Sequence, residues 1–99
     1  MDKVSLEFMS WLADTINSQA GQSVIEEDVG EGLTVRELLV RLASKHPQFQ
    51  KSVFDVRSLS LSAGVAIFYN GRQIELEKGL ETKLSDGDQL VFAPVIAGG

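Results

Sequence analysis

The segment from Gln89 to Val95 constrains the fold most, because its centre is apolar on both faces. That centre consists of Leu90, Val91, Phe92 and Ala93. A strand of this kind is typical of the middle of a sheet, with neighbours along both edges. Pro94 lacks an amide donor, so we expect strand pairing to end there and the chain beyond it to leave the sheet. The chain is therefore predicted to build a sheet around its own C-terminal strand.

Two hairpins are predicted to supply the neighbouring strands. Val4, Leu6 and Phe8 occupy alternate positions, which predicts a strand with one buried face. The polar stretch 14–22 then predicts a turn, and residues 23–29 a shorter second strand. These two strands are expected to form an N-terminal hairpin.

The second predicted hairpin lies in the other half of the chain. Residues 64–69 form a β-rich run, Asn70-Gly71 is a strong hairpin turn because both residues tolerate positive φ, and residues 72–76 return as the partner strand. The Asp86-Gly87 turn then leads into the last strand.

One helix is predicted from Thr34 to Lys45. Thr34 and Glu37 have the spacing of a capping box, in which each side chain bonds the other residue's backbone amide. The apolar residues that follow fall on one stripe: Val35, Leu38, Leu39, Leu42 and Ala43. His46-Pro47 ends the helix, since the residue before proline avoids the helical region. Residues 49–62 are expected to form an irregular connection that covers one end of the core.

These elements predict an α+β fold in which one main helix crosses a mixed sheet of about five strands. A chain of 99 residues is long enough for one domain over residues 1–99. It has no cysteine, no segment near the ~20 apolar residues of a membrane span, and no pattern typical of a signal peptide. A cytoplasmic location away from membranes is the resulting expectation.

The charge balance bears on the kind of partner. Fourteen acidic residues against nine basic residues give a net charge of −5. Such a chain repels phosphate backbones, which argues against a nucleic acid partner. A basic protein surface is the better expectation.

Residues that might carry catalysis or bind metal are few. His46 is expected to be structural or merely exposed, since it sits at the helix end and no cysteine nucleophile exists. The acidic residues Glu26, Glu27, Asp28 and Glu31 match no calcium-loop spacing and predict a solvated face. Asp86-Gly87-Asp88 is interpreted as a turn rather than a metal site.

Four aromatic residues are expected to pack in the core rather than to form a binding face. They are Phe8, Trp11, Phe68 and Phe92.

The sequence ends on Ala97-Gly98-Gly99. Without Cβ atoms, two glycines pass through a channel too narrow for side chains, so they suit a tail that enters another protein's active site. A frayed end without a role fits the same residues. The terminal carboxylate is an anion at neutral pH and a poor electrophile, so it needs activation, usually adenylation with ATP.

Residues 79–99 closely resemble the C-terminal signature of the MoaD/ThiS family of ubiquitin-like sulfur carriers. The shared features are a Leu-x-Asp-Gly-Asp turn at 84–88, a short apolar strand, Pro94 and the terminal Gly98-Gly99. The similarity is densest to members that are the small subunit of molybdopterin synthase. The Asn70-Gly71-Arg72 turn and the first strand also look like the family, so the resemblance spans most of the chain.

The resemblance implies a β-grasp fold and a carrier rather than an enzyme. An E1-like adenylyltransferase would adenylate Gly99 with ATP and magnesium, and a sulfur donor enzyme would convert the adenylate to a thiocarboxylate. The loaded tail would enter the large subunit of molybdopterin synthase, in a possible heterotetramer, and donate sulfur to a pterin precursor. No cofactor would be bound by this chain itself.

The same resemblance implies roles for individual residues. Gly99 would be the adenylation and thiocarboxylate site, and residues 95–99 a flexible, extended reactive tail. The partner-binding residues would be Phe92, Pro94, Val95, Ile96, Ala97 and Gly98.

Two departures from the family pattern leave the branch open. Many members have two prolines before the last apolar residues, whereas here Val95 and Ile96 follow Pro94. The connection 49–63 is also longer than in the most compact members. A ubiquitin-like modifier that joins lysines or thiolates tRNA, a sulfur carrier for thiamine, and a non-reactive interaction domain are the alternatives.

Overall fold

The computed structural model describes residues 2–16, 24–74 and 78–95. Seven strands are described: β1 (Asp2–Phe8), β2 (Val24–Val29), β3 (Phe54–Asp55), β4 (Ser60–Leu61), β5 (Val65–Tyr69), β6 (Arg72–Gln73) and β7 (Gln89–Pro94). The helices of the described part are α1 (Val35–Lys45), α2 (Pro47–Ser52) and two 3₁₀ helices, Ser10–Ile16 and Gly79–Glu81. No helix in the described ranges is long and apolar enough to cross a membrane.

The C-terminal strand lies in the middle of the main sheet, as its two-sided apolar sequence predicts. The five strands run in the order β2-β1-β7-β5-β6. β7 is parallel to β1, with Phe92 opposite Phe8, and antiparallel to β5, with Phe92 opposite Ile67. β1 and β2 form the predicted antiparallel N-terminal hairpin. The sheet is therefore mixed, and its centre is the last strand of the chain.

Strand pairing continues one residue beyond the predicted end at Pro94. The Val95 amide donates to the Gly64 carbonyl at 2.9 Å, while Pro94 itself stands opposite Val65. This bond brackets Pro94 and Val65 as a non-hydrogen-bonded pair, in which neither residue's N–H faces the other strand. The missing proline amide therefore removes no bond to β5.

α1 forms as predicted, with both halves of its capping box in place. Thr34 Oγ1 accepts from the Glu37 amide at 3.1 Å, and Glu37 Oε1 accepts from the Thr34 amide at 2.9 Å. The apolar stripe is buried against the sheet: Val35, Leu38, Leu39, Leu42 and Ala43. His46 ends the helix, and its backbone amide donates to the Leu42 carbonyl at 2.9 Å.

The connection after α1 is regular rather than irregular, which corrects the prediction for 49–62. Pro47 both ends α1 and begins α2, because its fixed φ suits the first helical position. Phe49 on α2 is fully buried, and β3 and β4 then pair as a small hairpin. A second connection also differs, since residues 10–16 form a 3₁₀ helix where a turn over 14–22 was predicted. Residues 17–23 lie outside the described ranges.

The second predicted hairpin is present but shorter than expected. β6 covers only Arg72–Gln73, although the Ile74 amide still donates to the Ile67 carbonyl at 3.0 Å. The rest of the predicted partner strand, residues 75–77, lies outside the described ranges. Asn70 and Gly71 have positive φ, as the predicted turn requires.

Three phenylalanines form the centre of the core. Phe8 stacks on Phe92 with ring centroids 4.7 Å apart, and Phe49 meets both rings edge-on at 6.2 and 5.9 Å. The expected core packing is confirmed for Phe8 and Phe92 but wrong for Trp11, which is 43% exposed. Trp11 belongs to the 3₁₀ helix, so the two-residue alternation of β1 no longer sets which side it faces. The expectation is also wrong for Phe68, which is half-buried and does not belong to the core cluster.

Replacing Gly79 with alanine is expected to destabilise the fold by about 1–3 kcal/mol. A Cβ at Gly79 would lie 2.6 Å from the Ile74 Cβ, an atom fixed to the backbone that cannot rotate away. Urea unfolding measures the loss. The matched control is Gly30→Ala, because a Cβ at Gly30 meets nothing within 4 Å. Equal stability of the two variants would contradict the prediction.

Candidate functional site: the outer sheet face and the root of the tail

The side of the sheet away from α1 carries an exposed or half-buried apolar surface. In β7, Leu90 and Phe92 point into the core, so Val91 and Ala93 point outward. The register places Phe68 beside Val91 and Ala66 beside Ala93. We call this surface the outer face, and it consists of Phe68, Val91, Ala93 and the strand-end residue Val95. Ala66, beside Ala93 on the same side, is buried.

Met9 extends this surface on the β1 side. It follows β1 directly, is exposed, and its amide donates to the Phe92 carbonyl at 2.9 Å. Its backbone therefore lies beside Ala93. Solvent-accessible apolar side chains grouped at one place on a small domain are typical of a protein-binding surface.

The remaining strands make the neighbouring part of the same side acidic. Across β1 and β2 the register pairs Ser5 with Glu26 and Lys3 with Asp28, and both acidic side chains are exposed. Glu27 faces the helix side instead, where its carboxylate lies 3.5 Å from Lys45 Nζ and 3.7 Å from Arg41 Nη1.

Among residues 2–16, 24–74 and 78–95, no three His, Asp or Glu side chains are grouped so as to hold a metal ion. The predicted solvated acidic face is confirmed for Glu26, Asp28 and Glu31, which are exposed. It is wrong for Glu27, whose side chain is 13% exposed and paired with Arg41 and Lys45.

The root of the C-terminal tail lies at the end of the outer face. Pro94 is half-buried and Val95 is 46% exposed, with its amide held by the Gly64 carbonyl. The predicted reactive and partner-binding residues beyond it lie outside the described ranges: Ile96, Ala97, Gly98 and Gly99.

The structure places Phe92, a partner-binding residue by the resemblance, inside the core and not on a surface. Its side chain is 0% exposed and stacks on Phe8 inside the core. A strand with apolar residues on both faces does not reveal which face its helix covers. The neighbouring strand supplies the missing signal, since Ser5 and Glu7 mark the outward side of β1 and Glu7 stands opposite Val91.

At the opposite end of β7, the Asp86-Gly87-Asp88 segment is a turn tied to three strands. Gly87 has φ of 88°, and its amide donates to the Lys3 carbonyl at 2.8 Å. The Lys3 amide in turn donates to Asp86 Oδ1 at 2.8 Å. The turn therefore holds β7 against β1, and the prediction of a turn is confirmed.

The Asp88 carboxylate is the centre of this junction. It accepts from Tyr69 Oη at 2.7 Å, Asn70 Nδ2 at 3.1 Å and the Ser85 amide at 2.8 Å. Burial alone would raise the pKa of Asp88, but these donors, the Ser85 amide first, lower it below its usual value. The hydrogen bond from Tyr69 to Asp88 raises the pKa of Tyr69, and burial raises it further. The junction thus fixes the start of the strand whose other end carries the tail.

Asp88→Asn is expected to cost about 1–3 kcal/mol at pH 7, because three donors then face a neutral amide. Because the pKa of Asp88 is lower in the folded state, its ionised carboxylate stabilises the fold. This stabilisation is complete above the pKa of the unfolded chain, about 3.9, and is lost as pH falls through the pKa of the folded state. The difference in stability between wild type and variant should therefore shrink as pH falls below the unfolded value and vanish once pH passes the lowered folded-state pKa. Urea unfolding at pH 7 and at a series of acidic pH values checks this.

Asp86→Asn is the matched control, since the Asp86 carboxylate is exposed and accepts a single described bond from the Lys3 amide. A gap between wild type and Asp88→Asn that stays constant with pH would contradict the assignment.

His46 has a structural position. It is half-buried between α1 and α2 and caps the end of α1 through its backbone amide. In the described part of the chain it lines a small cleft with Asp14, Thr15 and Lys45. The Thr15 hydroxyl is already bonded to the Leu12 carbonyl at 2.7 Å, so it is not paired with His46 as a nucleophile.

Known proteins match this chain along most of its length. The family model described as ThiS family matches residues 12–99. A candidate sulfur carrier protein of Archaeoglobus fulgidus is 35% identical over 69 residues, which cover 70% of this chain and 77% of that protein.

Solved structures match over nearly the whole chain. The small archaeal modifier protein 1 of Methanosarcina acetivorans matches with a TM-score of 0.74 at 26% identity, and the match covers 100% of this chain and 98% of that protein. A candidate molybdopterin converting factor subunit 1 of Pyrococcus furiosus has a TM-score of 0.74 at 23% identity, covering 97% of this chain and 100% of its own.

Proposed function

The chain belongs to the ThiS family of ubiquitin-like sulfur carriers, and on that premise we propose that Gly99 is its reactive residue. In this proposal an E1-like adenylyltransferase activates the Gly99 carboxylate, and a sulfur donor enzyme converts it to a thiocarboxylate. The fold supports the proposal, since the chain has the β-grasp arrangement of its neighbours, as the sequence predicted. The observation that carries it is the family match, which extends through residue 99.

The chemistry divides between the chain and its partner. A Gly99 carboxylate oxygen attacks the α-phosphorus of ATP, and pyrophosphate leaves. A persulfide of the donor then attacks the acyl carbon and AMP leaves, which gives an acyl disulfide. A second thiol of the donor or of the activating enzyme attacks the donor's sulfur in that disulfide, so that a protein disulfide forms and the thiocarboxylate is released. ATP and magnesium are bound by the activating enzyme. This chain supplies the acyl group and its presentation.

The geometry of the described residues favours such a presentation. β7 is held on both edges, so the tail begins from a fixed point at Val95. Residues 95–99, when extended, span about 15 Å at ~3.3 Å per residue. That length reaches a buried active site of a partner docked on the outer face. The acidic area around Glu26 and Asp28 suits a partner whose surface is basic around an apolar centre.

Intact mass spectrometry tests the proposal. Incubation with the cognate activating enzyme, ATP and a sulfur donor should exchange one oxygen of the chain for sulfur. The control reaction lacks ATP and should leave the mass unchanged. An unchanged mass with an enzyme that demonstrably forms pyrophosphate on another carrier would overturn the proposal.

The acceptor we propose first is a pterin precursor, in cytoplasmic molybdopterin synthesis. The resemblance of residues 79–99 to small subunits of molybdopterin synthase supports it. The test mixes thiocarboxylated chain with the large synthase subunit and a cyclic pterin precursor. Formation of the dithiolene product supports this acceptor, and recovery of unreacted thiocarboxylate contradicts it.

A second candidate function is protein modification, favoured by the similarity to the small archaeal modifier protein 1. Here a lysine amine of a target attacks the same activated carbonyl and forms an isopeptide bond. Digestion of cell lysates and mass spectrometry of lysines that carry the C-terminal remnant of this chain distinguish the two. Linked lysines favour the modifier, and free chain alone counts against it.

A further inference from the structure

A polar cleft lies between α2 and the hairpin formed by β3 and β4. It has a volume of about 470 Å³ and is lined by Pro47, Gln50, Lys51, Asp55 and Arg57. A second cleft of about 170 Å³ shares Gln50, Lys51 and Asp55 with it and extends along β4 to Ser62. Together the two clefts make a continuous surface beside the sheet, separate from the outer face.

The cleft is lined by two cations, Lys51 and Arg57, and one carboxylate, Asp55, so its lining is net positive on a chain of net charge −5. Among the described residues, the ion pairs use Arg36, Arg41 and Lys45, not Lys51 or Arg57. The nearby Asp55 carboxylate is engaged within the hairpin. Its two oxygens accept from the Arg57 amide at 3.0 Å and the Ser58 hydroxyl at 3.2 Å. The guanidinium and ammonium groups thus suit an incoming carboxylate.

The tip of the same hairpin displays an apolar side chain in a strained backbone. Leu59 has φ of 53° and is 47% exposed. A left-handed conformation costs a non-glycine residue about 1–2 kcal/mol, and exposure of a leucine gains nothing in return. Asparagine or glycine would satisfy the turn better. An outlier of this kind points to a role outside the fold.

The cleft borders the root of the tail. Ser62 lines the smaller cleft, and the Val65 amide donates to its carbonyl at 3.1 Å. Between these residues, the Gly64 carbonyl accepts from the Val95 amide. A protein that receives the tail beyond Val95 therefore approaches the hairpin as well.

We propose that Lys51, Arg57 and Leu59 form a hairpin surface that docks on the activating enzyme, which offers a carboxylate side chain to the cleft and an apolar pocket to Leu59. This inference rests on the proposed function, because the activating enzyme is the first protein that must receive the tail. A free anion is repelled by the net negative chain, whereas a basic partner overcomes that repulsion and supplies one carboxylate locally. The local positive charge of Lys51 and Arg57 on a negatively charged chain would fix the orientation in which the chain docks on the enzyme.

Titration calorimetry of the full chain against the cognate activating enzyme, without ATP, tests the hairpin surface. Arg57→Glu and Lys51→Glu are each expected to weaken binding about tenfold or more. Arg57→Lys, which keeps the charge, should lose only part of that. Lys83→Glu is the matched control, because it makes the same change in net charge at another exposed lysine. The backbone of Lys83 forms an isolated β-bridge with Thr34, near the start of α1. The affinity of this control variant should stay near the wild-type value.

Leu59→Asn separates docking from folding. We expect this variant to be at least as stable as wild type in urea, since asparagine suits positive φ, yet to bind the enzyme about fivefold or more weakly. Wild-type affinity of both Arg57→Glu and Leu59→Asn, or an equal loss in Lys83→Glu, overturns the inference, as does a wild-type chain that does not bind.

Thiocarboxylate formation is measured separately by intact mass. Binding that depends on Arg57 without any sulfur exchange would overturn the proposed function while supporting the hairpin surface. Sulfur exchange together with binding that does not depend on Arg57 would support the proposed function and overturn the hairpin surface.

Discussion

Deletion of Gly99 is expected to slow thiocarboxylate formation by at least about 100-fold, because a displacement of even 1 Å at a reacting centre can cost that much. The shortened chain ends on the Gly98 carboxylate, which falls about 3.3 Å short of the position that the full tail reaches. Binding to the enzyme through the folded body should change far less. The measurement is the initial rate of sulfur exchange by intact mass, beside the affinity for the activating enzyme.

A second tail variant changes the bulk of the tail without changing its length, and Gly30→Ala is the control for both variants. Gly98→Val keeps the reach of the tail but adds a side chain where the glycine pair is proposed to pass a narrow channel. It should also slow loading, whereas Gly30→Ala, in open space on the described body, should not. Loading of the Gly99 deletion at the wild-type rate would show that the reaction does not occur at this terminus.

The elements predicted correctly are those whose signals are local or doubly determined. The capping box at Thr34 and the apolar stripe of α1 depend on spacing within one segment, and the hairpin turn at Asn70 on two adjacent residues. The central place of β7 follows from its lack of polar alternation. In each case the tertiary structure agrees with the local preference.

The elements missed are short ones that the core imposes. β3 and β4 have two residues each, too few for any periodicity, and α2 is fixed by the burial of Phe49 rather than by a stripe. The prediction that Trp11 packs in the core rests on its aromatic character alone, whereas the 3₁₀ helix turns its side chain outward. Such outcomes depend on contacts between residues distant in sequence, which a single sequence does not display.

The candidate site shows the same division. The chemistry proposed at Gly99 rests on a recognisable sequence signature, whereas the proposed docking surface is defined by the register of β7 against β1. Within β7, one apolar residue belongs to the core and its neighbour to the surface, although their sequence contexts are nearly identical. Phe92 and Ala93 therefore make the sharpest test of the structure.

Phe92→Ala is expected to destabilise the fold by about 3–5 kcal/mol, since its ring is fully buried between Phe8 and Phe49. Ala93→Arg places a charge on the outer face beside Ala66, where the side chain reaches solvent. It should change stability far less and weaken binding to the activating enzyme about tenfold or more, because the apolar contact is replaced by a cation facing a basic partner. Urea unfolding and calorimetry are measured for both variants.

Placing Phe92 in the core and Ala93 on the docking surface requires that the first variant lose mainly stability and the second mainly affinity. Phe92→Leu is the control for the core, because a smaller loss of volume should leave most of the stability and all of the affinity. If Ala93→Arg binds as wild type, the outer face is not the docking surface. If Phe92→Leu loses affinity while remaining as stable as wild type, Phe92 contacts the partner after all, and the central strand must turn its other side to the core.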